Sequence, residues 1–176
     1  MDLIQWGITA VISILTFLGG RKYERQRLAQ ANRLELLAPV EEWIDQISKL
    51  IGIVGSGMTA INEGIPFSLQ YGPKEMGETA KALGEKKEKV MGILQSTALT
   101  TKETRQLTSS LSKTVADLSL LIERDFLQAY YAVLDKVGKG GDITAEMMSV
   151  LGLSARANSL VREIHSILAE LKTKYN

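Results

Sequence analysis

Lys49–Ala60 reads KLIGIVGSGMTA, and two fold classes compete for it. Gly55, Gly57 and Ala60 match the pattern G-x-G-x-x-A behind an apolar run. In a dinucleotide-binding fold such glycines allow a tight turn and a close approach of the pyrophosphate to a helix N-terminus. That reading also requires a preceding strand, a βαβ unit and an acid closing a second strand about twenty positions on. Downstream stands PFSLQYGPKEMGETAKAL, with no strand ending in an acid and no parallel-sheet partners after it. The competing reading is a helix. Val40, Trp43, Ile47, Leu50, Val54, Met58 and Ile61 recur at spacings of three and four, straight through the motif, and Ile44 and Ile51 widen the stripe. The periodicity decides for a helix, and the small residues are expected to let another helix, or an interface, approach closely.

Working outward toward the C-terminus, this helix meets a stop signal at Gly64 with Pro66 just beyond. The loop that follows carries Phe67 and Tyr71, expected to plug the end of a bundle. A second helix is expected from Pro73, with Met76, Ala80, Leu83, Val90 and Leu94 on one face and the mixed-charge run EKKEK at 85–89 on another. Thr100 and Glu103 form a capping box ahead of a third helix. It passes through Leu107, Leu111, Val115, Leu118, Ile122, Phe126, Val133 and Val137 to Gly138. VGKGGD makes a turn, and a fourth helix starts near Asp142 or Thr144, with Ala157, Leu160, Val161, Ile164, Leu168 and Leu171 on one side and Gly152 weakening its first half. No stretch alternates as a strand with hairpin chemistry. The expectation is an all-α chain whose residues 39–176 form an up-down-up-down four-helix bundle.

Toward the N-terminus, Pro39 suits a first helical turn and clashes in a helix interior, and Glu41 and Glu42 follow it. A new helix, or a kinked continuation, is expected there. Residues 21–38 read as a polar stalk. Before it, Leu3 to Gly20 hold no charged residue, and nine of the eighteen are Leu, Ile, Val or Phe. As a helix they extend about 27 Å, close to the ~30 Å hydrocarbon core of a bilayer. Residues 1–20 are therefore expected to be a single transmembrane anchor. Arg21, Lys22, Arg25 and Arg27 all follow the span, a membrane-surface basic cluster. The positive-inside rule then places the C-terminal domain in the cytoplasm and the N-terminus outside, at the plasma (inner) membrane. No basic segment precedes the apolar run, which argues against a cleaved signal peptide.

The formal charge of +1 is unevenly distributed. Residues 21–33 hold five Lys/Arg and one Glu, against sixteen Lys/Arg and eighteen Asp/Glu in 34–176. The excess belongs beside an anionic lipid surface, and the remainder has no footprint for nucleic acid. The absence of cysteine removes disulfides and thiolate metal sites. His165, the one histidine, has no partner at metal-ligand or triad spacing. Glu123 and Asp125, like Glu41 and Glu42, read as solvated acids, and VGKGG at 137–141 lacks the upstream glycine of a phosphate loop. Neither an enzyme, a metal nor a cofactor is expected.

One pattern remains inside the span. Gln5, Thr9, Ser13, Thr16 and Gly20 follow spacings of four, four, three and four. At 100° per residue they share an arc of about 80°, a face suited to self-association with a second membrane helix. The expected function is a scaffold, adaptor or tether that holds a cytoplasmic protein partner at the bilayer and itself forms a homo-oligomer. The rival is an oligomeric membrane effector, a channel or lesion formed by the membrane helices and controlled by the bundle. Dye or ion leakage on expression separates them.

Overall fold

The computed structural model describes the backbone of residues 3–64 and 73–175 and the side chains of residues 23–64 and 76–175. Every element among these is helical: α1 (Leu3–Asn62), α2 (Pro73–Gln95), α3 (Arg105–Leu120), a π-turn (Leu121–Phe126), α4 (Leu127–Gly138) and α5 (Thr144–Tyr175). The chain forms a helical bundle, in which α3, the π-turn and α4 follow one another without a break. α1 packs on α2 and α5, α3 on α2 and α5, and α4 on α5. Gly55 and its neighbours lie within α1, so the dinucleotide pattern is helical throughout.

α1 owes its place to a seam. Leu37, Val40, Ile44, Ile47, Ile51, Val54 and Met58 are buried and repeat at alternating spacings of three and four, the signature of a helix facing one partner groove. Trp43 and Leu50 broaden it. Pro39 lies inside this helix, so the chain does not start a new element there. An interior proline costs about 3 kcal/mol, and buried aliphatic side chains at about 1.5–3 kcal/mol each on both sides of it outweigh that. Core packing reaches back to Leu37, fully buried, two residues before the proline.

The π-turn is the feature that the sequence reading omitted. Leu118, Ile122, Phe126 and Tyr130 are buried in succession, four residues apart each time. In an α-helix every such step overshoots a full turn by about 40°. A turn with i→i+5 bonding holds more residues and absorbs the overshoot. The apolar positions of α4 are thereby rotated: Tyr130 and Val133 are buried, whereas Val137, expected on the core face, is 39% exposed.

The ends largely follow local chemistry. α1 closes before Gly64, at φ 66°, a conformation open to glycine at little cost. The Asp142 carboxylate accepts from Thr144 N at 3.0 Å and Thr144 Oγ1 at 2.7 Å, opening α5. The start of α3 differs from the expected Thr100–Glu103 box. Thr104 N donates to Thr101 Oγ1 at 3.2 Å, and Thr101 N donates to Thr104 Oγ1 at 3.0 Å. The reciprocal pair sits one residue later and uses two threonines. Thr104 is buried, where an uncharged hydroxyl costs far less than a carboxylate; Glu103 stays exposed.

Among the described residues, no helix is long and apolar enough to cross a membrane. The side chains of the expected span, residues 3–20, lie outside the described residues.

Candidate interaction surface

Three places on the bundle carry chemistry beyond core packing. The first is the pole at which the N-terminal part of α1, residues 23–32, leaves the bundle. The Tyr175 hydroxyl donates to the Leu99 carbonyl, and the Arg33 guanidinium stands 5.8 Å from the Tyr175 ring centroid, within cation–π range. Arg33 Nε also donates to the Ala98 carbonyl at 3.4 Å, and Lys172 Nζ reaches Glu41 Oε1 at 2.5 Å. The end of α5, the α2–α3 connection and α1 are thus tied together where α1 emerges.

The second lies behind the π-turn. Trp43 Nε1 donates to the Leu83 carbonyl at 3.0 Å in a buried setting, fixing α1 against α2. Glu123 accepts from Ser119 Oγ at 2.8 Å and from Lys87 Nζ at 3.0 Å. Beside it Lys86 Nζ meets Glu42 at 2.7 Å and, chiefly through that hydrogen bond, holds the Glu42 carboxyl below its ordinary value. These acids are spent on lysines. Asp125 pairs with Arg124 at 3.1 Å. His165 is exposed on α5, and among the described residues no group of three or more His, Cys, Asp or Glu could hold a metal ion.

The third comprises two surface grooves. One, of about 360 Å³, runs between the end of α1 and the start of α5, with Gly55, Met58, Met147, Met148 and Leu151 in its walls. A Cβ placed on Gly55 would meet nothing within 4 Å; the space left by the small residues is open, not filled by a neighbouring helix. Met148 and Leu151 are 65% and 48% exposed. The other groove, of about 440 Å³, separates α2 from α3, with Met91 and Leu94 facing Arg105, Ser109, Lys113 and Ala116. Comparison with protein-family models, curated proteins and solved structures returns no match. The surfaces themselves therefore carry the functional argument.

The structure places the expected membrane-helix residues Gln5, Thr9, Ser13, Thr16 and Gly20 within α1, but their side chains, like those of Arg21 and Lys22, lie outside the described residues. Arg25 and Arg27 are exposed on the projecting part of α1. The cations missed by the sequence reading are Arg105 and Lys113. Neither makes an ion pair among the described residues, a property they share with Lys49, Lys81, Lys102, Arg156, Arg162 and Lys174; what sets them apart is their place on one groove. Their spacing of eight was visible; their lack of partners depends on neighbours from other helices.

Proposed function

We propose that the chain is a single-pass membrane-anchored helical bundle, an up-down-up-down arrangement that acts by binding, holding a protein partner at the cytoplasmic face. The observation that carries this reading is one unbroken helix. α1 runs for 60 residues, from the uncharged segment through the basic cluster into the bundle's core seam. The first described contact of α1 with the rest of the bundle, at Arg33, comes thirteen residues after Gly20, about 20 Å along the axis. A continuous helix of that length holds the bundle clear of the lipid headgroups and leaves its grooves open to partners. Arg21, Lys22, Arg25 and Arg27 would sit at the anionic inner surface, each adding about 1 kcal/mol of attraction.

Binding is favoured over chemistry because the acids that cluster are already paired to lysines and the grooves are open and shallow. The rival reading, an oligomeric channel or lesion, draws on the stripe Gln5, Thr9, Ser13, Thr16 and Gly20, through which membrane helices would associate. Expression of the full-length chain in cells loaded with a fluorescent dye tests the choice. A tether leaves the dye inside; leakage that disappears on Thr9→Leu, Ser13→Leu and Gly20→Leu would replace the tether with the effector.

A further inference from the structure

The groove between α2 and α3 is built asymmetrically. Met91 and Leu94 of α2 and Ala116 of α3 are its apolar lining, beside the uncharged polar side chains of Gln95, Thr100, Thr108 and Ser112. Its α3 wall carries Arg105 and Lys113, two turns apart, with Ser109 between them. No acid stands among the lining residues. Asp117, one turn beyond Lys113, makes no ion pair with it among the described residues, although the i,i+4 spacing would allow one.

The same face continues past the groove. At 100° per residue, Arg105, Ser109, Lys113, Ala116 and Leu120 fall within an arc of about 80°. Leu120 is 56% exposed, one turn beyond Ala116, immediately before the π-turn. An exposed leucine one turn beyond Ala116, on the same face as two cations without an ion pair among the described residues, is an unpartnered helical face.

Its shape selects the class of partner. A small-molecule pocket encloses most of its ligand. This groove instead lies open along α3, and the sixteen residues from Arg105 to Leu120 span about 22 Å. That is the footprint of a helix laid along the surface. Its charge selects the chemistry of that helix, since cations at the edge of an apolar groove favour acids at the matching edge of the partner.

We propose that the α2–α3 groove docks an acidic amphipathic helix of another protein, with apolar side chains over Met91, Ala116 and Leu120 and carboxylates against Arg105 and Lys113. This deepens the reading that the chain acts by binding, and it names the partner's class. The test uses the full-length chain in phosphatidylcholine nanodiscs if it inserts, and in buffer if it does not, with empty discs as the blank. The probe is a displayed library of helical peptides about fifteen residues long, randomised on one face and both flanks. Selection should enrich apolar residues at spacings of three and four flanked by Asp and Glu. Fluorescence anisotropy of an enriched peptide should lose about tenfold or more in affinity with Arg105→Glu plus Lys113→Glu. Leu120→Asp should weaken it as well, while Lys139→Glu, at the far pole, should not. All four side chains are exposed, so helicity and melting of the variants provide the folding control. A library without a binder, binders with no acidic preference, or binding indifferent to the double reversal would each overturn the proposal. A binder that competes with self-association of the chain, measured by light scattering, would replace the foreign helix with a second copy. Because the selection does not require insertion, its failure leaves the anchor untouched, and a chain that does not insert leaves the groove untouched.

Discussion

Deletion of Arg124 should barely change the stability of the bundle, although it removes a residue from the middle of a long helical run. Arg124 lies in the π-turn, is exposed, and among the described residues pairs only with its neighbour Asp125. Without it, Leu118, Ile122, Phe126, Tyr130 and Val133, all buried, fall at spacings of four, three, four and three. That is the repeat of a regular α-helix, so the π-turn closes to α and both flanking faces stay on the core. The closed turn regains a backbone hydrogen bond, worth about 0.5–1.5 kcal/mol net, against small losses at the junction. The melting temperature should move by no more than about 4 °C. The control is deletion of Ser159, also exposed in mid-helix, in α5, which has no π-turn to absorb it. There the residues beyond the cut rotate by about 100°, carrying Val161, Ile164, Leu168 and Leu171 off the core. At about 1.5–3 kcal/mol for each buried aliphatic, the loss is about 6–12 kcal/mol, comparable with the whole stability of a domain. Thermal melts followed by far-UV circular dichroism on the full-length chain compare the two. If loss of Arg124 lowers the melting temperature as much as loss of Ser159, the account of the π-turn as an absorbed overshoot is wrong.

Ile164→Asp should abolish cooperative melting, since it leaves an unpaired charge at a fully buried position, a cost of several kcal/mol; an unchanged melt would mean that the α5 core face is misassigned. Trp43→Phe should cost about 1–3 kcal/mol in urea unfolding, from the hydrogen bond to the Leu83 carbonyl and part of the ring's burial, and a change under about 0.5 kcal/mol would remove that bond from the account. Acidification should destabilise the bundle. Glu42, Asp142 and Glu146 are held below their ordinary values of 4.5, 3.8 and 4.5, by Lys86, Thr144 and Lys136 respectively. Stability from a depressed carboxyl is present above the unfolded value and lost as pH falls through the folded one. Melting temperature should therefore stay level down to about pH 5 and decline below it, less so in Lys86→Met with Lys136→Met; an equal decline in that variant would show that these pairs contribute nothing.

Much of the helical layout was legible in local chemistry. Pro73 opens α2, Gly64 at the end of α1 and Gly140 in the turn after α4 take positive φ, and Asp142 and Thr144 start α5, because each exploits a conformational or hydrogen-bonding preference that its own residues carry. The α1 seam was legible for the same reason, in spacing alone. Pro39 left a new helix and a continuation both open, because propensity speaks for one turn, whereas the outcome, a continuous α1, depends on the buried side chains on both sides of it. The π-turn was written in the run Leu118, Ile122, Phe126, Tyr130, but spacing alone does not say whether the helix twists past its groove or takes up the overshoot in one turn. Thr104 displaced Glu103 at the cap because burial decides between a hydroxyl and a carboxylate. Arg105 and Lys113 looked like any solvated pair of cations. Their lack of partners, and the open space beside Gly55, are set by which helices come together, a relation that no single segment contains.

The central claim is that one helix joins a membrane to a binding bundle, and alkaline carbonate extraction tests it most directly. Membranes from cells expressing the full-length chain are compared with those from cells expressing residues 23–176, which keep Arg33 with Tyr175 and the buried Leu37. The account predicts that the full-length chain remains in the membrane pellet and the shorter one, folded by circular dichroism, is recovered in the supernatant. Full-length chain in the carbonate supernatant would contradict it.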